Sequence, residues 1–405
     1  MTKHIVIVGG GAAGFFAAIN CAEKNPGNNV AILEQGPEFL AKVRVSGGGR
    51  CNVTHNCFDA REFATRYPRG AKELIGPFER FSARETIEWF LKRGVRLNAQ
   101  CDGCIFPLTD KSQTIIDCFL GAAQNAGVTM RTNSGVESVA RGADGGFDLV
   151  LATGETIHCD KLLLATGGCR AAAAGQLAVS LGHTLEEPVP SLFTFDLDVP
   201  WLNALAGIVV ENVEAAAENF TERGTLLITH TGLSGPVILR LSAWGARALH
   251  ACDYKFRLRI NWLPQLSEEE IATELQWRRS QQPARLVVNT PLAPLPARLW
   301  ESLVVVAGIK RDTRWAVLPR AAMHGLTQQL TRMELAVTGK CTNKDEFVTC
   351  GGVRLREVNF RTMESRICPG LFFAGELLDI DAITGGFNFQ AAWTTGWIAA
   401  QAMSA

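Results

Sequence analysis

A chain of 405 residues, 47% apolar and 20% charged, has material for more than one core and reads as one very large domain or two to three ordinary ones. Lys and Arg number 40, as do Asp and Glu, so the bulk charge gives no reason to expect nucleic acid or an anionic membrane as partner. The opening MTKHIVIVGGGAAG reaches glycines too early for a signal-peptide core, no stretch approaches the roughly 18 apolar residues of a spanning helix, and the 12 Cys are scattered. The expectation is a cytoplasmic protein whose Cys are mostly small buried hydrophobes.

The first elements read as strand, turn, helix, strand. His4 to Val8 is a short apolar run of buried-strand type, Gly9 to Gly14 is the turn, and Ala12 to Lys24 has helical periodicity. Val30 to Glu34 is the second strand. The turn spells Gly9-x-Gly11-x-x-Gly14. In such a turn the first glycine permits the tight bend. The second lets backbone approach a pyrophosphate, and the third lets helix and strand pack closely. The helix N-terminus, with Ala12 and Ala13, supplies N–H groups to the phosphates. Glu34 closes the next strand and can accept hydrogen bonds from both ribose hydroxyls. Gln35 follows it, and Lys42 lies just beyond; both join the candidate cofactor set.

Ser46 to Asn52 is SGGGRCN. Gly47, Gly48 and Gly49 offer bare N–H groups in a nest for pyrophosphate or the edge of a flavin. Arg50 can add charge and Asn52 can hydrogen-bond the ring. Cys51 has two readings, a redox-active thiol beside the flavin or an inert filler, and filler is the commoner role of a buried Cys. Cys101-Asp102-Gly103-Cys104 also has two readings, a redox pair or a hairpin turn at Asp-Gly. The continuing Ile105-Phe106 strand favours the turn, and no second such pair completes a zinc site.

Arg84–Arg93 and Gln113–Asn125 read as amphipathic helices. Short alternating runs then form an antiparallel meander that returns to the apolar strand Leu162 to Thr166. That strand ends in Thr166-Gly167-Gly168. From about Pro188 prolines cluster and strand-like segments dominate. The Ser267 segment opens with a capping box, and the pattern stays helical to Arg332. Within this region His230, Thr231 and Ser234, on a Gly/Pro-punctuated loop, are candidate substrate contacts, with a purely structural loop as the alternative. His230 is the candidate catalytic group. The final strand, Leu371 onward, ends in Gly375-Glu376, positioned for a ribityl or phosphate group. Gly385-Gly386-Phe387-Asn388 opens the last helix, whose N-terminus would stabilise negative charge on a reduced isoalloxazine. Trp393 and Trp397, at helical spacing, read as core. These features together select noncovalent FAD over NAD as the bound dinucleotide.

At SGGGRCN, at FPLTDKSQT (106–114), at HTGLSGPVIL (230–239) and at TMESRICPGLFFAGELLDIDAITGGFNFQAAW (362–393) the chain resembles the YhiN-like, or BaiN-type, bacterial flavoproteins along nearly its whole length. The resemblance implies an α/β fold. A Rossmann-type, two-dinucleotide-binding-domain FAD unit would be interrupted by a β-barrel-like domain carrying a small helical segment. The FAD domain would comprise residues 1–188 and 346–405. The insertion would be 189–345, β-rich over 189–265 and 333–345 and helical over 266–332. The segment after Gly168, CRAAAAGQLAVSLGHT, is shorter and more Ala-rich than the Gly/Thr-rich loop of the family.

The implied activity is that of an FAD-dependent oxidoreductase. It would take hydride from NAD(P)H and reduce an electron-poor small molecule, such as a conjugated enone. No second Gly-x-Gly-x-x-Gly marks a dedicated NAD(P) domain, so the nicotinamide would dock transiently over the flavin or another reductant would serve. The rivals are a flavin oxidase or hydroxylase using oxygen, and an RNA-associated flavoprotein, against which the neutral charge weighs. The sequence carries no sign of oligomeric state.

Overall fold

The computed structural model describes residues 2–143, 145–169, 172–341 and 348–405, with the side chains of 172–173 left aside. Arg170 and Ala171 of the short Ala-rich segment, Asp144 of the turn within the meander, and the junction 342–347, where the domain boundary at 346 was expected, lie outside the described residues. The chain divides into two compact units, 1–190 with 344–405, and 191–343.

The first unit is built on a seven-stranded sheet. Five strands run parallel in the order Leu371–Phe373, Lys161–Leu164, His4–Val8, Asn29–Leu33, Thr129–Arg131. Two short antiparallel strands, Glu364–Ser365 and Val358–Asn359, complete the edge. The central strands are continuous apolar runs because helices cover both faces of a parallel sheet. The C-terminal residues therefore complete a sheet begun at the N-terminus. The helix Phe387–Met403 lies against the first helix, Ala12–Lys24, and Gly396 permits the contact: a Cβ there would stand 2.7 Å from the Ala13 carbonyl oxygen. The expected meander is a separate antiparallel sheet of Val136–Arg141, Phe147–Leu151 and Thr156–Cys159.

The second unit is a closed six-stranded barrel with a helical segment. Its strands are Phe195–Leu197, Val209–Ala217, Phe220–Ile228, Gly232–Ser234, Phe256–Asn261 and Met333–Lys340. Inward residues such as Val213, Ala215, Leu226, Ile228, Leu258 and Ile260 are buried, the period-2 pattern of a barrel wall. The Ser267 capping box forms in full, with Glu270 closing it. The β-rich stretch 189–265 also holds the helices Pro236–Trp244 and Ala246–Ala251. Residues 232–234, taken as loop, are a barrel strand paired with Phe195 and Leu227. Glycine, proline and serine there mimic a loop. Gly232 is needed because a Cβ would sit 2.1 Å from the Phe195 carbonyl oxygen, and Pro236 starts the helix that follows.

Candidate functional site, a dinucleotide cradle

Two helix N-termini are left open in the first unit. The helix Ala12–Lys24 begins at Gly11 and the helix Phe387–Met403 begins at Gly386. Neither has a side-chain cap, and neither has an acidic residue in its first turn. First-turn amides without an intrahelical acceptor and with a positive dipole favour an anion. The glycines around the first helix divide into two kinds. Gly9 and Gly14 are packed: a Cβ would stand 2.2 Å from the Ala165 oxygen at Gly9 and 2.0 Å from the Gly9 oxygen at Gly14. Gly11 is open, with nothing within 4 Å of that position. The turn is thus held from behind by the end of the Lys161–Leu164 strand and bare where a phosphate would lie.

Glu34 follows the Asn29–Leu33 strand and anchors the same turn. Its two carboxylate oxygens accept from the amides of Gly10 (2.7 Å) and Gly36 (2.8 Å). Each oxygen keeps a further lone pair for a ribose hydroxyl. Gln35 is exposed beside it. Lys42 and Glu376, proposed separately from sequence, meet in an ion pair of 2.7 Å. The other Glu376 oxygen accepts from the amide of Thr349 (2.8 Å), so Glu376 ties the segment after Leu371–Phe373 to the strand Val348–Val353. Gly168 abuts Thr349 and Glu376, and Gly167 is open. Gly375 rests on Ala13.

SGGGRCN forms the far end of a broken helix, Ala41–Gly49, in which Ser46 is extended and Gly47 and Gly48 are left-handed. A Cβ at Gly48 or Gly49 would meet nothing within 4 Å, so this nest is exposed backbone. Arg50 lies over the Phe106 ring at 4.2 Å and near Asp110. Cys51 is fully buried and burial pushes its thiol up to about 12, which makes it an inert filler. Asn52 carries a buried side-chain oxygen that has no hydrogen-bond partner among the described residues, beside Gly386. A buried acceptor left unmade is costly, and a ligand N–H would satisfy it.

A three-stranded sheet brings SGGGRCN to the C-terminal motif. Thr54–His55 pairs with Cys104–Pro107, which pairs with Leu97–Ala99. Cys101 to Cys104 is the turn between the last two, with Asp102 accepting from the Cys104 amide at 3.0 Å. Burial raises the Cys104 thiol to about 11. His55 stacks on Phe387 at 4.6 Å, and its Nδ1 donates to the Gly385 oxygen at 3.1 Å. Burial lowers its pKa, so the neutral imidazole presents Nε2 as an acceptor. Asn388 holds both backbone groups of Ala382, at 2.9 and 3.0 Å. Deeper, Gln390 joins Thr54, Thr86 and Thr394. Trp393 Nε1 donates to the Val53 oxygen at 2.9 Å, and Trp397 stacks on Phe81. Both tryptophans serve packing.

His55 and Thr349 escaped the sequence reading. The signal for His55 was its place three residues after SGGGRCN. Thr349 gave none, since a lone Thr in a strand is ordinary. His230 belongs to the second unit, exposed on the turn between Phe220–Ile228 and Gly232–Ser234. Among the described residues no group of three His, Cys, Asp or Glu could hold a metal ion, and no helix is long and apolar enough to cross a membrane.

Open glycine backbone, two uncapped N-termini, a carboxylate fixed at the strand end and an orphaned Asn52 oxygen fit an extended, anionic dinucleotide with a polar ring. Residues 3–402 match the profile described as HI0933-like protein Rossmann domain. The chain belongs to this family. It is a family of FAD-binding, Rossmann-type oxidoreductases, and it is the YhiN/BaiN-type family expected from the motifs. The chain is 32% identical to the ribosomal RNA dihydrouridine synthase of Escherichia coli K12, over 98% of this chain and 96% of that protein. It is 28% identical to the 3-dehydro-bile acid delta(4,6)-reductase of Clostridium scindens, over 99% and 98%. Among solved structures, the 3-ketosteroid-delta4-(5alpha)-dehydrogenase of Rhodococcus jostii RHA1 shares the fold, with a TM-score of 0.53 at 14% identity over 100% of this chain and 97% of that one. A flavocytochrome c3 fumarate reductase does likewise, with a TM-score of 0.52 at 17% identity, over 100% and 78%.

Proposed function

We propose that this HI0933-like protein reduces a carbon–carbon double bond conjugated to a carbonyl, and that the bond is C5=C6 of a uridine in ribosomal RNA. One observation carries the choice of substrate: the 32% identity, over 98% of this chain and 96% of the relative, with a ribosomal RNA dihydrouridine synthase. The balance is NAD(P)H, a proton and uridine giving NAD(P)+ and dihydrouridine. Bound FAD supplies the two-electron hydride chemistry that no side chain can. The protein's part is to hold and polarise. Gly11 and the amides of the first helix take the pyrophosphate, Glu34 the ribose, and the nest at Gly47–Gly49 and Asn52 the ring edge. The N-terminus of the helix Phe387–Met403 stabilises negative charge beside it. The neutral sum of charges, which argued against an RNA partner, speaks only of the whole chain. An rRNA substrate places the protein in the cytoplasm.

The relation to a bile acid reductase favours a second reading, a free polycyclic enone or dienone. Uracil and a dienone present the same electrophile, a β-carbon activated by a carbonyl, so one cradle serves either. The test is anaerobic incubation of FAD-loaded protein with NAD(P)H and either protein-free rRNA or a 3-keto-4,6-diene steroid. Nucleoside mass spectrometry should show uridine gaining two hydrogens. Unchanged rRNA with consumption of the steroid would establish the second reading, and oxygen uptake coupled to a hydroxylated product would replace both.

A further inference from the structure

The neutral sum hides a segregation inside the second unit. Residues 278–332 carry nine Lys and Arg against two acids, Glu301 and Asp312. The other acids of the helical segment lie on the helix Glu268–Gln281, and three of them, Glu268, Glu269 and Glu270, sit in its first turn, where they complement its dipole. On this helix Glu269, Glu270 and Glu274 line one groove with Trp277. Past that helix the chain pairs with itself. The Trp315 amide donates to the Arg285 oxygen, the Val287 amide to the Thr313 oxygen and the Thr313 amide to the Lys310 oxygen, each at 3.0 Å. Leu286 faces Arg314 across this ladder.

The ladder is bolted to a core. Trp315 and Trp300 are fully buried, and their indole N–H groups donate to Thr290 Oγ1 (2.9 Å) and the Val287 oxygen (2.8 Å). Arg285, Lys310 and Arg314 are exposed on this anchored stretch, and among the described residues none has an ion-pair partner, whereas Arg278, Arg311 and Arg332 do. Val317, 70% exposed, lies beside them. A surface kept merely soluble mixes signs. Three exposed cations without ion-pair partners among the described residues, set on hydrogen-bonded backbone against one exposed carboxylate, Asp312, leave a net positive strip that suits a polyanion.

We infer that this ridge at Arg285, Lys310 and Arg314 binds the phosphodiester backbone of RNA, an inference resting on the substrate reading above. Phosphate contacts of this kind position without reading sequence and release counterions, so binding weakens steeply with salt.

The test uses full-length, FAD-loaded protein and a mixed-sequence RNA duplex, with affinity followed by anisotropy across a salt series. In the triple variant Arg285→Gln/Lys310→Gln/Arg314→Gln the slope of log affinity against log salt should fall by about two to three, and affinity at low salt by about 10-fold or more. Lys at both Arg positions should restore the slope, and FAD content should not change. Equal slopes in parent and triple variant, no RNA binding by the parent, or preference for phosphatidylglycerol vesicles over RNA would each overturn the inference. Dihydrouridine formation, read in parallel, separates the two readings. A parent that binds RNA through the ridge yet makes none keeps the ridge and loses the substrate. Equal formation with and without the three cations sinks the ridge alone.

Discussion

Gly9 and Gly11 stand two residues apart in one turn, and their missing side chains do different work. At Gly9 the space is filled by Ala165 and φ is +112°, a conformation costing a side chain about 1–3 kcal/mol before any clash. At Gly11 the space is empty and φ is −93°. Gly9→Ala should therefore lower the melting temperature of the protein without FAD, whereas Gly11→Val should leave it nearly unchanged and abolish FAD retention. The cradle is misplaced if Gly11→Val protein still carries FAD after gel filtration. With thiols at about 12 and about 11 for Cys51 and Cys104, thiolate at neutral pH is on the order of one part in 10⁴ or less. A Cys101→Ser/Cys104→Ser variant should keep its rates of flavin reduction and reoxidation, and its loss of electron transfer to a disulfide acceptor would restore the redox reading. His230, exposed on its turn, is kept as the candidate acceptor-side group. His230→Ala should hold full FAD and slow reoxidation by the substrate about 10²-fold, the worth of a positioned acid or base; unchanged reoxidation removes it from the site.

Between elements, the segments that close the cradle are fastened by ion pairs of unequal value. Arg69 and Asp381 pair through two guanidinium–carboxylate hydrogen bonds. Asp381 is fully buried and Arg69 nearly so. The pair ties the loop before the C-terminal helix to the segment after SGGGRCN. Removing one partner leaves a buried charge and costs about 3–5 kcal/mol. Lys42–Glu376 has comparable geometry, but Lys42 is 57% exposed, and such a pair is worth about 1 kcal/mol or less. Urea unfolding should find Asp381→Ala far more destabilising than Lys42→Ala; equal midpoints would contradict this account. These fastenings also mark what sequence could show. The strand-turn-helix at His4–Lys24 and the capping box at Ser267 follow from local period and local hydrogen bonds, so they were legible. The meeting of His55 with Gly385, or of Thr349 with Glu376, depends on pairing between distant strands, which no local pattern encodes. Gly232–Ser234 misled for the opposite reason. Its residues are those of a turn, and only the pressure of Phe195 against Gly232 explains a glycine in a barrel strand.

At the scale of the whole molecule, the cradle residues named above all lie in the unit formed by 1–190 and 344–405. The chain leaves this unit after Leu185–Ser191 and re-enters it at Val348–Val353, and these two strands pair with each other. Gly351 packs against the Glu187 oxygen there, at 2.3 Å from an added Cβ. The two ends of the excursion are therefore adjacent, and a short flexible linker can join them at small entropic cost, since closure cost grows only slowly with length. The sheet, the first helix and the C-terminal helix would all remain. Replacing 191–347 with a Gly/Ser linker should give a protein that still binds FAD, read as yellow colour surviving gel filtration and as FAD released by acid. It should also lose reduction of rRNA uridine, because the barrel and the basic ridge are gone. A shortened protein that folds, by circular dichroism and cooperative melting, yet retains no FAD would show that the second unit contributes to the cradle. One that still formed dihydrouridine would show that the barrel unit has no part in choosing the substrate.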